Sequence, residues 1–369
     1  MSQDAQVTAQ RLNRVREVME QAGVDLLVIG PSSDFRYFTG HAPRLSERLT
    51  ALIIPREGEA TITVPRLEAP LLAHLSDRFA MAIWDETERP TERIAAMGRE
   101  AGVRAVAVND QFWSVFLLQL EELLPSASFQ SASTIMTRMR VVKDPAEIAL
   151  LREAARRTDA AWEEFCATVR LTGRTEREVA ADLQALMAKQ GFPTLAFCAV
   201  ASGPNAASPH HETSDRVIQP GDPVVIDFGG EYEGYYSDIT RTPVAGEPHP
   251  EFVKIYEIVK QAQQAAFETI RPGVACQDVD RAARKIISDA GYGEYFIHRV
   301  GHGLGLEIHE PPYLVEGNTQ PLEAGMVTSD EPGIYIPGKW GVRIEDAVLV
   351  TEDGAERLNT VSRDLVSLP

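Results

Sequence analysis

The chain has 369 residues, with 54 acids against 36 bases and a formal net charge of −18. At about 150 residues per domain that makes two or three domains, with core enough to need neither disulfides nor structural zinc, and so acidic a chain is not expected to bind nucleic acid or an anionic membrane. Cys166, Cys198 and Cys276 lie far apart with no CxxC, the first residues lack the apolar run of a secretion signal, and no long apolar stretch occurs, so a cytoplasmic protein is expected.

Val7, Leu12, Val15, Val18 and Met19 recur at helical spacing, and Gly23 follows, which predicts a helix over 7–22. DLLVIG, ALIIP and ATITVP then read as strands, and VRAVAVN (103–109) as a fourth. Helical segments intervene around 66–76, 89–101 and 112–123. The alternation predicts an α/β layer domain. A seam falls near 135–145, giving an N-terminal domain over 1–138 and a second over 139–369.

In the second domain Pro145 can open a helix over 146–168. Thr175 and Glu178 have the form of a capping box for a second helix ending at Gly191. After a segment bearing Pro and Ser, PVVIDFGGEYEGYYSDITRTPV reads as two strands joined by a turn. Helices over 251–270 and 276–290 follow, and then a further apolar hairpin. Helix, helix, hairpin thus occurs twice. At an offset of 100, Gly173 matches Gly273, Val179 matches Val279 and Gly191 matches Gly291. An internal duplication is expected.

Both hairpins carry acids in apolar strands. Asp227 and Asp238 have their midpoint between Tyr232 and Glu233, inside EYEG; Glu331 and Glu345 have theirs at Gly338, inside IPGKWG. If those are the turns, each pair stands directly across its hairpin. Carboxylates so close repel, and one is driven to take up a proton unless a divalent cation removes the cost. Solvated acids on an edge strand are the alternative. Six of the eight histidines lie after residue 209. His302 stands between glycines in GHGLG, where the backbone can approach closely. His249, between prolines, reads as structural. HExxH is absent.

Five motifs in order, SPHH (208–211), IDFGG (226–230), SDITR (237–241), VGHGLGLEIHE (300–310) and DEPGIYI with GVRIED (330–336, 341–346), make the sequence similar to the pita-bread metallopeptidases, in their proline-specific branch of Xaa-Pro dipeptidases (prolidases) and Xaa-Pro aminopeptidases. RYFTG (36–40) resembles the creatinase-like N-terminal domain of that family, so the likeness spans the chain. It implies a creatinase-like α/β N-terminal domain and an α+β pita-bread catalytic domain with an internal pseudo-two-fold repeat. It also implies two divalent metal ions on Asp227, Asp238, His302, Glu331 and Glu345, with Asp227 on one ion, His302 and Glu331 on the other, and Asp238 and Glu345 bridging. His210 and His309, with Glu331, take the catalytic roles. Creatinase shares the fold without this ligand set.

Two such ions would lower the pKa of a shared water toward neutrality. Four carboxylates and one imidazole make a hard site, favouring Mn²⁺, with Zn²⁺ and Co²⁺ as alternatives. His298 is expected to wall the proline pocket and His211 to be structural. Arg343, two residues from Glu345, should share its face and meet a ligand carboxylate or the substrate's C-terminus. Thr240 could orient Asp238 in the same way. Asp330 is expected to set a further charge beside Glu331. The expected reaction is cleavage of Xaa-Pro dipeptides by a homodimer, with a loop around 39–49 (His41, Arg44, Arg48) as a possible gate and a partner subunit as a possible contributor to the site. Aminopeptidase action on longer peptides, a metal-free hydrolase and a non-catalytic scaffold are the other readings.

Overall fold

A computed structural model describes residues 3–193 and 195–369, and the chain divides into two compact units, Met1–Arg140 and Val141–Pro369. Among the described residues no helix is long and apolar enough to cross a membrane.

The first unit runs α1 (Gln3–Gln21), β1 (Leu26–Ile29), α2 (Ser33–Thr39), β2 (Ala51–Pro55), β3 (Thr61–Pro65), α3 (Ala69–Leu72), β4 (Ala80–Trp84), α4 (Pro90–Glu100), β5 (Ala105–Val108), α5 (Ser114–Leu123), β6 (Ser128–Ser131) and α6 (Ser133–Arg140). Its six strands form one mixed sheet in the order β4-β3-β2-β1-β5-β6. The predicted helix over 7–22 corresponds to α1, which buries Val15, Val18 and Met19 and gives way to Gly23 at φ 67°. The sequence reading missed α2, β4, β6 and α6. β6 (SFQS) is an edge strand with little buried surface, so it carries no apolar alternation. α2 is short and depends on a local cap, the Ser32 side chain accepting from Phe35 N. In the loop around 39–49, Arg48 bonds Glu86 at 2.7 Å and the His41 ring lies 5.6 Å from that of His74.

The second unit begins with α7 (Pro145–Thr168) and α8 (Glu176–Lys189), both opened by full capping boxes, Asp144 with Glu147 and Thr175 with Glu178. There follow β7 (Leu195–Ser202), β8 (Val224–Tyr232), β9 (Tyr235–Tyr236), β10 (Ile239–Arg241) and β11 (Val244–Ala245). Then come α9 (Pro250–Thr269), α10 (Cys276–Asp289), β12 (Gly301–Gly303), β13 (Glu310–Leu314), β14 (Val327–Asp330), β15 (Gly333–Ile336), β16 (Trp340–Arg343), β17 (Asp346–Val350), β18 (Ala355–Arg357) and β19 (Ser367–Leu368). β7 lies in the segment bearing Pro and Ser, for which no element was predicted; it pairs with β8 along most of its length.

The duplication is visible atom by atom. Gly173 and Gly273 have φ 82° and 84°, and Gly191 and Gly291 both have φ 87°. Val179 and Val279 are both fully buried. Gly173 N donates to Ile218 O, and Gly273 N to Leu322 O. In each half two helices cover one sheet face. Trp162, Phe165, Leu183 and Phe228 fill the first core, and Phe252, Tyr256, Val279 and Ile287 the second. The other face of each sheet is left to build a site.

Candidate metal centre

The first acid-bearing hairpin turns at Glu233–Gly234, with φ values of 49° and 96°. Those are the angles of a primed two-residue turn, which matches strand twist. The ladder pairs Glu231 with Tyr236, Phe228 with Ile239 and Asp227 with Thr240. The turn lies one residue later than predicted, so Asp227 does not face Asp238. Extending the register sets Asp238 opposite Gly229, and the two aspartates share a face as diagonal neighbours. A Cβ at Gly229 would lie 2.1 Å from Ser237 O, so only glycine allows this approach.

In the second hairpin Gly333 pairs with Arg343 and Ile336 with Trp340, while β14 and β17 pair Asp330 with Asp346. Both ladders have the same register. It places Glu331 opposite Glu345 in the gap between them, about the predicted centre at Gly338. The hairpins are joined where Glu345 N donates to Thr240 O at 3.1 Å and Thr240 Oγ1 donates to Glu345 Oε2 at 2.6 Å. Thr240 therefore orients Glu345, a correction to the expected bond with Asp238.

His302 enters on β12 between Gly301 and Gly303. Side chains at those glycines would put Cβ 2.1 Å from Ser329 O and 2.3 Å from Pro311 O, so the glycine frame lets β12 lie between its neighbours. His302 Nδ1 donates to Gly303 O at 3.1 Å. That leaves Nε2 facing Glu331 Oε1 at 3.2 Å and Asp238 Oδ2 at 3.7 Å. Ser329 Oγ accepts from His302 N and donates to Glu331 Oε1.

Asp238, His302 and Glu345, all buried, each offer a ligand atom within 4.8 Å of the others. Asp227 and Glu331 line the same cavity of about 870 Å³, as do His210, His298 and His309. Burial, and then repulsion from Asp227, drives the Asp238 carboxyl well above its ordinary value. Burial and Asp238 do the same to Glu345. Burial would also raise Glu331, but its bond to His302 and that ring's charge pull it down. Burial would lower His302; Glu331 and Asp238 outweigh it and raise it. The donor set fits divalent cations: neighbouring carboxyls repel in a dry site, and Asp227 Oδ1 is buried with no hydrogen-bond partner. Cys198 is no competing ligand: it stands opposite Phe228 on the ladder and packs into the core on the face away from Asp227.

Arg343 faces the cavity and donates to Asp227 Oδ2 at 2.6 Å, Thr240 Oγ1 at 3.0 Å and Tyr335 Oη at 2.9 Å. All three of its nitrogens are thus engaged by the protein. His298 Nε2 lies 2.9 Å from Tyr335 Oη, and burial lowers its pKa. The His309 ring meets that of His302 edge-on at 4.2 Å; burial, then the charges of His302 and Arg299, lower its pKa to about 4. His211 Nε2 lies 3.2 Å from Glu176 Oε2. His249 is a helix cap, its Nδ1 accepting from Glu251 N. Asp330 does not lie on the ligand face. It points to the opposite side, fully buried, across from Asp346, and burial and Asp346 drive its carboxyl well up.

The sequence reading missed Tyr335, Ser329 and Arg299. A period of two from Glu331 through Gly333 reaches Tyr335, and Ser329 is two residues before Glu331, so strand alternation could have found both. Arg299, beside His298, carried no such signal.

Two family descriptions match the chain: Metallopeptidase family M24 over residues 149–352 and Creatinase/Prolidase N-terminal domain over residues 11–142. The dipeptidase PepE of Mycobacterium ulcerans has a crystal structure 43% identical, with a TM-score of 0.93 and 99% of each chain covered. A prolidase from Thermococcus sibiricus is 38% identical with a TM-score of 0.92, over 98% of this chain and 99% of that one. The Xaa-Pro dipeptidase of Pyrococcus horikoshii is 36% identical over 97% of this chain and 99% of its own length.

Proposed function

The chain belongs to metallopeptidase family M24 and is a metal-dependent peptidase, and on that premise we propose that it cleaves the peptide bond before proline in Xaa-Pro dipeptides, using two divalent ions held by Asp227, Asp238, His302, Glu331 and Glu345. The observation that carries this is the convergence of the five side chains, brought by two hairpins and β12 to one cavity with four further histidines. Mn²⁺ is the ion proposed, because four carboxylates and one imidazole form a hard donor set with no thiolate among it. Bound there, divalent ions supply Lewis acidity: they lower the pKa of water toward neutrality and polarise a carbonyl oxygen.

The chain's own residues do the rest. Arg343 and Thr240 fix Asp227 and Glu345, so the donor atoms are set before substrate arrives. A bond preceding proline has no N–H and leaves as a secondary amine, which needs a proton. His210 lines the cavity with the ligands, and we assign it to move that proton. The low pKa of His309 keeps it neutral near pH 7, suited to hydrogen-bond a substrate oxygen or nitrogen. His298, Phe197 and Ile308 give the cavity the apolar wall that a pyrrolidine ring fills. Arg343 being engaged by Asp227, we assign the substrate's carboxylate to Arg299, whose guanidinium lies over the Tyr313 ring at 4.4 Å. A homodimer is supported by Leu45, Leu67 and Leu71 of the first unit, 51%, 72% and 65% exposed. A cytoplasmic location is supported by the three free thiols.

Metal-stripped protein, with and without Mn²⁺, on Ala-Pro, Ala-Pro-Ala and Ala-Ala tests this. Mn²⁺-dependent release from Ala-Pro alone is expected. Equal release from Ala-Pro-Ala makes the protein an Xaa-Pro aminopeptidase, and equal release from Ala-Ala removes the proline requirement.

A further inference from the structure

Glu176 opens α8 and is fully buried, 0% exposed. Its Oε1 accepts from Ser202 N (2.7 Å), Ser202 Oγ (2.7 Å) and Asn205 Nδ2 (3.0 Å). Its Oε2 accepts from Ser214 N (3.0 Å) and Ser214 Oγ (2.6 Å) and lies 3.2 Å from His211 Nε2. An isolated buried carboxylate is costly, and these donors offset that cost. Burial would raise its pKa, but the bonds from Ser214 and Ser202 outweigh it and hold the carboxyl below its ordinary value.

The donors come from both ends of one segment. Residues 202–214 leave β7, pass through a short turn at 203–207, and bring Pro209, His210 and His211 to the cavity wall. One carboxylate thus closes a loop whose middle carries His210. The second half of the unit has a counterpart. Asp280 on α10 is also fully buried; its Oδ1 accepts from Val300 N at 3.0 Å. Arg284, bonded to Asp280, donates to Phe296 O and His298 O at 2.8 Å each. In each half, then, an acid on the second helix fixes the loop that delivers a histidine to the cavity.

We propose that Glu176 is the positioning residue for His210: it touches no substrate, and by drawing Ser202, Asn205, His211 and Ser214 onto one carboxylate it sets the loop that aims His210 at the reacting bond. The proposal rests on the role given to His210 above.

Glu176→Gln replaces one acceptor oxygen with an amide that opposes these donors. With Mn²⁺ on Ala-Pro, kcat/KM should fall about 10–100-fold, the bound Mn²⁺ per chain should stay at the wild-type value, and adding His210→Ala should lower kcat/KM no further than His210→Ala does alone. Wild-type kcat/KM in Glu176→Gln, or losses that multiply with those of His210→Ala, would overturn the proposal. If Glu176→Gln does not fold, Ser214→Ala, which removes one donor and keeps the charge, should cost about 3–10-fold with the same non-additivity; multiplying losses overturn it there too. Failure of the underlying reading looks different: His210→Ala itself then keeps wild-type kcat/KM.

Discussion

In the first hairpin Asp227 and Asp238 stand diagonally across a two-residue turn at Glu233–Gly234; in the second Glu331 and Glu345 stand directly opposite each other about a three-residue turn centred on Gly338. The two hairpins serve one cavity all the same. A shift of the turn by one residue moves the pairing by two, and two is the period of a strand, so both aspartates stay on one face. A slip of one residue in the pairing would have sent Asp238 to the other side. The face is therefore what the sequence must specify, and direct opposition is dispensable. Asp330 and Asp346 show the converse. They face each other one step along the ladder from Glu331 and Glu345, yet on the reverse side, where Arg241 and Gln263 bind Asp346 at 2.6 and 2.8 Å.

The strongest way to break this equivalence is to remove one acid from each hairpin. Asp238→Asn and Glu345→Gln should each lower kcat on Ala-Pro by about 1000-fold or more, since each removes a proposed ligand and with it several kcal/mol of charge stabilisation. If either variant keeps near-wild-type turnover under saturating Mn²⁺, the hairpins are not equal partners. Arg343→Met, which strips Asp227 of its guanidinium, should weaken Mn²⁺ binding by about 10–100-fold. Thr240→Val should do so on the same scale by freeing Glu345; calorimetric Mn²⁺ titration reads both.

The turns offer a stability comparison. Gly229→Ala drives a methyl into Ser237 O and should cost about 3 kcal/mol in a denaturant melt of the metal-free protein. Gly338→Ala meets no atom and has only its φ of 73° against it, about 1 kcal/mol. Equal losses would mean that the close approach at Gly229 is not tight. On the reverse face Asp330→Asn exchanges a carboxyl driven toward its neutral form for a neutral amide of the same shape. It should change turnover by less than about twofold, about 0.4 kcal/mol.

Much of the site was legible because the wrong residue types stand in apolar strands: acids buried in VVIDFG and IEDAVLV need a partner, a cation or, as for Asp346, a buried guanidinium. The five motifs pointed to the family that the chain proves to belong to. The duplication was legible too, in glycines at positive φ that lead into (Gly173, Gly273) and follow (Gly191, Gly291) the second helix of each half. What escaped notice depends on distant partners or on weak local patterns. β6 is a polar edge strand. Tyr335 needed the alternation to be carried past Glu331. Thr240 was assigned to Asp238 by nearness in sequence, whereas its hydroxyl reaches Glu345 across 105 residues. Glu176, directly after the Thr175 cap, was not singled out, because its donors arrive 26 to 38 residues later.

The central claim, that both hairpins cage one pair of divalent ions, is tested most directly by counting metal. Metal-stripped protein, equilibrated with Mn²⁺ and freed of excess, should carry two ions per chain by elemental analysis, and fewer in Glu345→Gln. A wild-type chain that retains none, or a Glu345→Gln chain that retains two with full Ala-Pro turnover, would contradict it.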